Sequence, residues 1–269
     1  MFAEEGTMKI LMILISYILC VVMPAFSQEL SGLDIMKEQK KRHEASQEYE
    51  DIKMVLIDSS NNKETRELKR YAKKDNAGLF KYLARFEGPA DIRGTALLTW
   101  EQKDREDDQW LYMPAYGQKL KRIAGGNKKG YFMGTDFSYE DLRPEKLETH
   151  TYAVLKKEKY DNQDCYVIES LPSTDEEKKT TGYAKRILWI TTDTFVTLKV
   201  DFYDHSMKLL KTQTAHNVKQ IKGKLMRADK VLMTHHQNKH QTLMGLVERK
   251  IGGNIEDSIF TERAVTSFK

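Results

Sequence analysis

From residue 52 to about residue 250 the chain alternates apolar and polar residues, in run after run separated by short polar turns. Successive side chains of an extended strand point to opposite faces, so a period of two commits each run to a sheet with one apolar face. Ile52, Met54 and Leu56 share one face of the first run, with Lys53, Val55 and Ile57 opposite. A polar run over 65–73 carries Leu68 and Tyr71. In LFKYLARFEGP, residues 79–89, Phe80, Tyr82, Ala84 and Phe86 alternate with Lys81, Leu83 and Arg85. Further strands are expected over 94–102, 109–113, 119–124, 152–160, 165–170, 183–191, 195–203 and 209–221, with two or three more between 225 and 250. Turn residues fall between them, as in Asp58-Ser59-Ser60-Asn61-Asn62, Asp161-Asn162-Gln163-Asp164, Thr191-Thr192-Asp193-Thr194 and Asp204-His205-Ser206. Strands joined by links this short run antiparallel. About eleven strands in one meander predict a mainly β fold, a single large curled sheet or open barrel.

Only one long helix is expected. Ser31 and Asp34 fit a capping box, and LDIMKEQKKRHEASQEYE, residues 33–50, holds strong helix formers with neither Gly nor Pro. Leu33, Ile35 and Met36 gather in its first turns, so a buried face is expected only there. One helix covers little of so much one-sided apolar sheet. Such a sheet either closes around its own side chains or keeps a concavity for a ligand, and alternation alone fits both.

Ahead of the helix, residues 10–23 read ILMILISYILCVVM without a charge. A membrane span needs about 20 apolar residues, so this shorter run reads as the apolar core of a signal peptide. Lys9 precedes it, Met8-Lys9 makes a better start than the acidic MFAEEGT, and Ala25 and Ser27 are the small residues of a cleavage site. Residues 1–27 are expected to be a signal peptide cut after Ser27, and 28–269 one exported domain of the periplasm. Cys20 would be lost with the signal peptide, leaving Cys165 without an intramolecular partner; in the alternating CYVIES it reads as a small core residue. With 44 Lys and Arg against 40 Asp and Glu, the net charge of +4 is too balanced to suggest a nucleic-acid binder.

Candidate chemistry is sparse. THHQNKHQT places His236 and His240 on one strand face and His235 on the other, with no carboxylate in the run, so a solvated polar face is expected and no metal. His150, His205 and His216 stand alone. No nucleophile elbow, His-Glu-x-x-His helix or phosphate-cradling loop is present, and Gly125-Gly126-Asn127 reads as a turn between short strands. Asp136, Glu140 and Asp141 suggest calcium, but Ser138 to Asp141 fits a capping box opening a short helix that Pro144 curtails. KLKRIAGGNKKG carries Lys119, Lys121, Arg122, Lys128 and Lys129 with no acid, a basic hairpin that either meets anionic headgroups or a partner or is simply solvated.

Residues 110–142, WLYMPAYGQKLKRIAGGNKKGYFMGTDFSYEDL, resemble the outer-membrane lipoprotein-sorting proteins of the LolA-like superfamily, in the branch found beside membrane-protein or lipid exporters. The resemblance lies in Trp110, Tyr112 and Pro114, in Arg122 and Ile123, and above all in Phe132 through Asp141, which follow F-x-G-[ST]-D-[FL]-[ST]-Y-[ED]-D. LKVDFYD at 198–204, Leu209-Leu210-Lys211 and Ile259-Phe260-Thr261 extend it downstream. It implies a half-barrel of antiparallel strands, roughly eleven, with an N-terminal helix and short plugging helices, that carries acyl chains across the periplasm without a cofactor. Cavity residues are then expected among Met54, Leu56, Phe80, Tyr82, Leu97, Leu111, Met113, Trp189 and Leu198. The implied partners of this monomer are lipid or lipoprotein acyl chains, an inner-membrane exporter and an outer-membrane acceptor. The alternatives are a regulatory module that senses envelope stress or mislocalised lipoproteins, and a hydrolase with dispersed catalytic residues.

Overall fold

The structure, a computed structural model, describes residues 29–267 apart from 118 and 124; the expected signal peptide and its cleavage point lie outside the described residues. Ser31–Lys269 form one compact unit. Helix α1 (Gly32–His43) precedes strands β1 (Gln47–Ile57), β2 (Lys63–Lys74), β3 (Phe80–Gly88), β4 (Ala96–Trp100), β5 (Asp108–Tyr112) and β6 (Leu120–Ile123). After a long connection come β7 (His150–Tyr160), β8 (Gln163–Pro172), helix α2 (Asp175–Thr180), β9 (Lys185–Thr191), β10 (Thr197–Tyr203), β11 (Leu209–Lys222), β12 (Leu225–His235), β13 (His240–Ile251) and helix α3 (Glu262–Thr266).

All the strands join one antiparallel sheet in the order β6-β5-β4-β3-β2-β1-β13-β12-β11-β10-β9-β8-β7. The sheet is an open half-barrel: β6 and β7 end it on either side. Every run with a period of two forms a strand, and β12 and β13 bring the number to thirteen, more than the expected eleven. β1 sits between β2 and β13, Glu48 standing opposite Ala72 on one side and Ile251 on the other.

The N-terminal helix is shorter than its composition predicts. Ser31 caps it, accepting from the Asp34 amide at 3.1 Å and donating to the Asp34 carboxylate at 2.6 Å. It stops at His43 and not at Glu50, because Gln47 pairs with β2 and Glu48 through Glu50 are claimed by ladders with both β2 and β13. Two-sided pairing outweighs a helix propensity of tenths of a kcal/mol per residue. Ile35 and Met36 are buried and Leu33 is largely exposed, so the buried stripe is confined to the first turns. The far end of the helix is tied to the β9–β10 turn, where Arg42 donates to the Asp193 carbonyl at 2.7 Å and the His43 ring meets the Thr194 carbonyl at 3.0 Å.

The connection between β6 and β7 decides the interior. It starts at one edge of the sheet and ends at the other, so residues 125–149 cross over the concave face. Met133 and Gly134 both take left-handed backbone angles (φ 49° and 72°), turning the strap back on itself. Phe132 then stacks on Phe86 at 5.3 Å, and both belong to the large concave core with Met54, Leu68, Phe137, Phe202 and Met233. A smaller cluster on the other face packs Leu83, Leu98 and Tyr112 against Phe260 and Val265 of the C-terminal segment, with the Trp100 indole donating to the Phe260 carbonyl at 2.9 Å.

Three local expectations change. Ser138 to Asp141 form a turn and no helix: the Asp141 carboxylate does accept from the Ser138 amide at 2.6 Å, as a capping box requires, but it is also drawn to Lys211. The 235–240 segment is the turn of the β12–β13 hairpin: residues 236–239 are exposed, as a solvated face requires, but His235 and His240 turn towards the strap. His235 is buried against the Tyr131 hydroxyl at 2.8 Å, and His240 reaches Asp136 at 2.7 Å. The basic segment is no hairpin either, since β6 is the edge strand and a single 3-10 turn (Gly125–Asn127) leads into the strap.

Gly32 is where α1 touches β7, and a Cβ there would stand 2.6 Å from the Tyr152 carbonyl oxygen. Gly32→Ala should therefore cost about 1–3 kcal/mol by forcing the helix off the strand. Denaturant titration of the two proteins measures this, and equal midpoints would mean that this contact does not hold the helix.

Candidate functional site

The strap and α1 do not fill the half-barrel. Between them and the sheet remains a cavity of about 680 Å³, within the roughly 300–1,000 Å³ range of small-molecule sites. Met36 of α1 and Leu142 and Leu147 of the strap face a floor of Ile52, Ala84, Leu97, Leu188, Val200, Phe202, Val231 and Met244. The floor is apolar because these positions alternate with the outward-facing ones along each strand.

Of the cavity residues expected from sequence, Phe80, Tyr82 and Leu97 line it. Met54, Leu56 and Leu111 share the concave side but lie in the packed core, and Met113 packs against that core. Trp189 follows Leu188 and so turns away from the cavity; its indole donates to Glu158 at 2.6 Å and Lys199 stands 4.0 Å over the ring. Leu198 is buried outside the cavity lining. Among the basic residues, Lys128 is buried between Glu106 at 3.2 Å and Glu177 at 3.0 Å, and Arg122 holds Asp108 at 2.5 Å. Lys119, Lys121 and Lys129 are exposed.

Charged residues that alternation did not single out also line the cavity, two groups of them in its wall. At the β1–β13 seam, Arg249 donates to Glu50 at 2.7 Å and to the Ala228 carbonyl at 2.9 Å, Arg227 pairs with Glu48 at 2.7 Å, and Arg70 with Glu50 at 3.2 Å. Burial pushes the Glu50 carboxyl up, but Arg70 and Arg249 outweigh it and hold it below its usual value. At the start of β9, Arg186 pairs with Glu145, its guanidinium 4.9 Å from the Tyr183 ring centre and 5.7 Å from that of Phe202. Glu140 beside it accepts from Thr181 at 3.0 Å and from the Gly182 amide at 2.9 Å, and burial raises its carboxyl. One signal for these residues was present in the sequence: Glu48 and Glu50 are in phase with Ile52, Met54 and Leu56 on the apolar face of β1.

A buried ion pair anchors the strap beside the cavity. Lys211 and Asp141, their side chains 0% and 2% exposed, meet at 2.5 Å, and Asp141 also accepts from Tyr183 at 2.8 Å. Lys211 donates further to the Asp136 carbonyl at 3.0 Å, and Thr242 donates to the Asp136 carboxylate at 2.7 Å. Among the described residues no group of His, Cys, Asp and Glu is arranged to hold a metal ion.

Curved sheet, strap and amphipathic hollow define a half-barrel with an unfilled interior. A crystal structure of an outer membrane lipoprotein-sorting protein domain from Vibrio parahaemolyticus is 34% identical, over 87% of this chain and 98% of that one, with a TM-score of 0.81. A DUF1329 family protein from Desulfovibrio piger is 26% identical over 87% of this chain and 97% of that one, also with a TM-score of 0.81. A LolA superfamily protein from Nitrosomonas europaea shares the fold at 20% identity and a TM-score of 0.68, over 87% of this chain and 99% of that one. A family profile described as "Uncharacterized protein" matches residues 78–267. No curated protein matches the chain. The chain belongs to the family of that outer membrane lipoprotein-sorting protein domain, and it shares its fold with the LolA superfamily protein.

The Asp141 carboxyl is raised by burial but held below its usual range by Lys211 and Ser138. A carboxyl depressed in the folded state contributes stability that is present above its unfolded pKa of about 3.9 and is lost as pH falls through the lower folded value. Asp141→Asn leaves Lys211 buried without its counter-charge and should cost about 3–5 kcal/mol at neutral pH. Urea titrations at pH 7 and pH 3 should show the gap between the two proteins narrowing in acid; a constant gap would mean that the pair does not anchor the strap.

Proposed function

We propose that this protein is a periplasmic carrier that takes a lipid or acylated cargo, of the lipoprotein kind, into the concavity and passes it towards the outer membrane or an exporter. The observation that carries this reading is the roughly 680 Å³ hollow with an apolar floor. Each CH₂ removed from water contributes about 0.8 kcal/mol, so one acyl chain lying on that floor supplies ample affinity without covalent chemistry. Membership of a family whose relative from Vibrio parahaemolyticus is described as a lipoprotein-sorting domain supports it. The uncharged run at 10–23, read as the core of a signal peptide ending at Ser27, supports a mature domain 28–269 outside the inner membrane.

In this reading Phe80, Tyr82 and Leu97 touch the acyl chain directly. Met54, Leu56, Leu111 and Met113 form the packing behind them. Release requires α1 or the strap to move or an acceptor to compete, because an acyl chain leaves for water only at the cost of the same burial energy. Lys119, Lys121, Arg122 and Lys129, exposed on and beside the edge strand β6, are the contact for membrane headgroups or a membrane partner.

Protein purified from its native host, extracted with organic solvent and examined by mass spectrometry, should release an amphiphile in near-stoichiometric amount. Repeated extraction of nothing acylated would count against the carrier. Ala84→Trp directs a large ring into the cavity from β3 and should weaken binding of a fluorescent acyl probe by tenfold or more, on the order of 1.4 kcal/mol, with the circular dichroism unchanged. Undiminished probe binding would place the acyl site elsewhere.

A further inference from the structure

The two charged groups in the cavity wall are not balanced in hydrogen bonding. Among the described residues, the buried side-chain nitrogens and oxygens without a hydrogen-bond partner in the protein are Nη1 of Arg249 and Nε of Arg186. Both residues line the cavity. The Arg249 side chain is 8% exposed; its Nε and Nη2 hold Glu50, while Nη1 has only the Asp229 carboxylate at 3.6 Å, beyond hydrogen-bond reach. Arg186 uses Nη1 on Glu145 and rests its flat face near Tyr183 and Phe202, which leaves Nε. The nearby carboxylates are engaged: Glu50 by Arg249 and Arg70, Glu48 by Arg227, and Glu145 by Tyr152, Ser170 and Arg186.

The unmet capacity of the wall is therefore donor capacity, at two places on strands β13 and β9. A guanidinium cannot shed its proton to become an acceptor. A buried donor left unmade costs free energy that a ligand oxygen recovers, whereas an ammonium head brings only further donors. We infer that the cargo is an amphiphile whose polar end carries acceptor oxygens, acidic or ester, and that Arg249 and Arg186 select such heads against amine heads. This rests on the carrier reading and narrows it: the apolar floor sets affinity for the chain, and the two arginines set which end-group follows it in.

The test is displacement of a fluorescent acyl probe from the purified mature protein at neutral pH by a series sharing one hydrocarbon tail. Hexadecanoic acid, hexadecyl phosphate, methyl hexadecanoate and hexadecylamine are compared below their aggregation concentrations. The three acceptor heads should each displace at a concentration about tenfold lower than the amine, the return expected for one buried donor satisfied. The order of carboxylate, phosphate and ester then tells a free acid from a phospholipid-type head and from an acylated one.

Arg249→Met and Arg186→Met keep most of the side-chain volume and remove the donors; together they should bring the acid-to-amine ratio close to one. An amine that displaces as well as the acid from the unaltered protein, or a ratio unmoved by both substitutions, overturns the inference. The ratio in the unaltered protein decides the matter even if a substituted chain fails to fold. Displacement by every member alike removes only the head-group selection, while displacement by none removes the carrier reading with it.

Discussion

The interior of this half-barrel is organised by one contact shut away from water, the ion pair between Lys211 of β11 and Asp141 of the strap. A sheet whose meander begins in the middle has to send its chain from one edge to the other, and here the chain takes the inside route. A segment crossing an apolar face brings backbone polar groups with it, and these need partners. Lys211 meets the Asp136 carbonyl, Arg66 the Met133 carbonyl, Gln109 the Tyr139 carbonyl and Thr242 the Asp136 amide. Buried pairs of this kind do little for net stability, since desolvation offsets attraction. Their effect here is positional: they fix where the strap lies, and so how much of the hollow it takes up.

That position divides the concave side into two regions of different character. Beneath the strap, Phe132 and Phe137 complete a solid core with Phe86 and Met54. Beyond it, towards α1, the cavity begins, and Ile52, Leu97, Leu188 and Val200 belong both to its floor and to the core. The expectation of either a filled barrel or an open one is thus met by both at once. Charged residues at the β1–β13 seam and at the head of β9 bound the apolar floor, giving the space the mixed character of an amphiphile.

The strands and their antiparallel sense were legible in the sequence, because a period of two and short polar turns act through neighbours along the chain; the β1–β13 pairing and the break between β6 and β7 were not. The helix boundary was not. Glu44 to Glu50 have the composition of a helix, and only pairing with residues far along the chain turns Gln47 onward into a strand. Which face is concave was also invisible locally, which is why Trp189 was grouped with Leu97 although Arg186 and Leu188 hold the inner positions on β9. Asp136 and His240 lie far apart in sequence, as do Tyr131 and His235, so neither the solvated reading of the histidines nor the capping-box reading of the acids anticipated that these pairs meet. The Phe132–Asp141 motif identified the family; its physical role as the strap became apparent only from the topology.

The seam between β1 and β13 sets the order of events in folding. Glu48 pairs with Ile251 and Ile57 with Gln241, so the central strand of the sheet owes half of its ladder to the far end of the chain. Closing so long a loop exacts its entropy before any of those bonds form, which makes the step slow and late. A chain folding from its N-terminal strands accordingly leaves one side of β1 unclaimed until β13 is available. Maturation of this molecule is a terminal event, governed by the last hairpin to be made and not by the first.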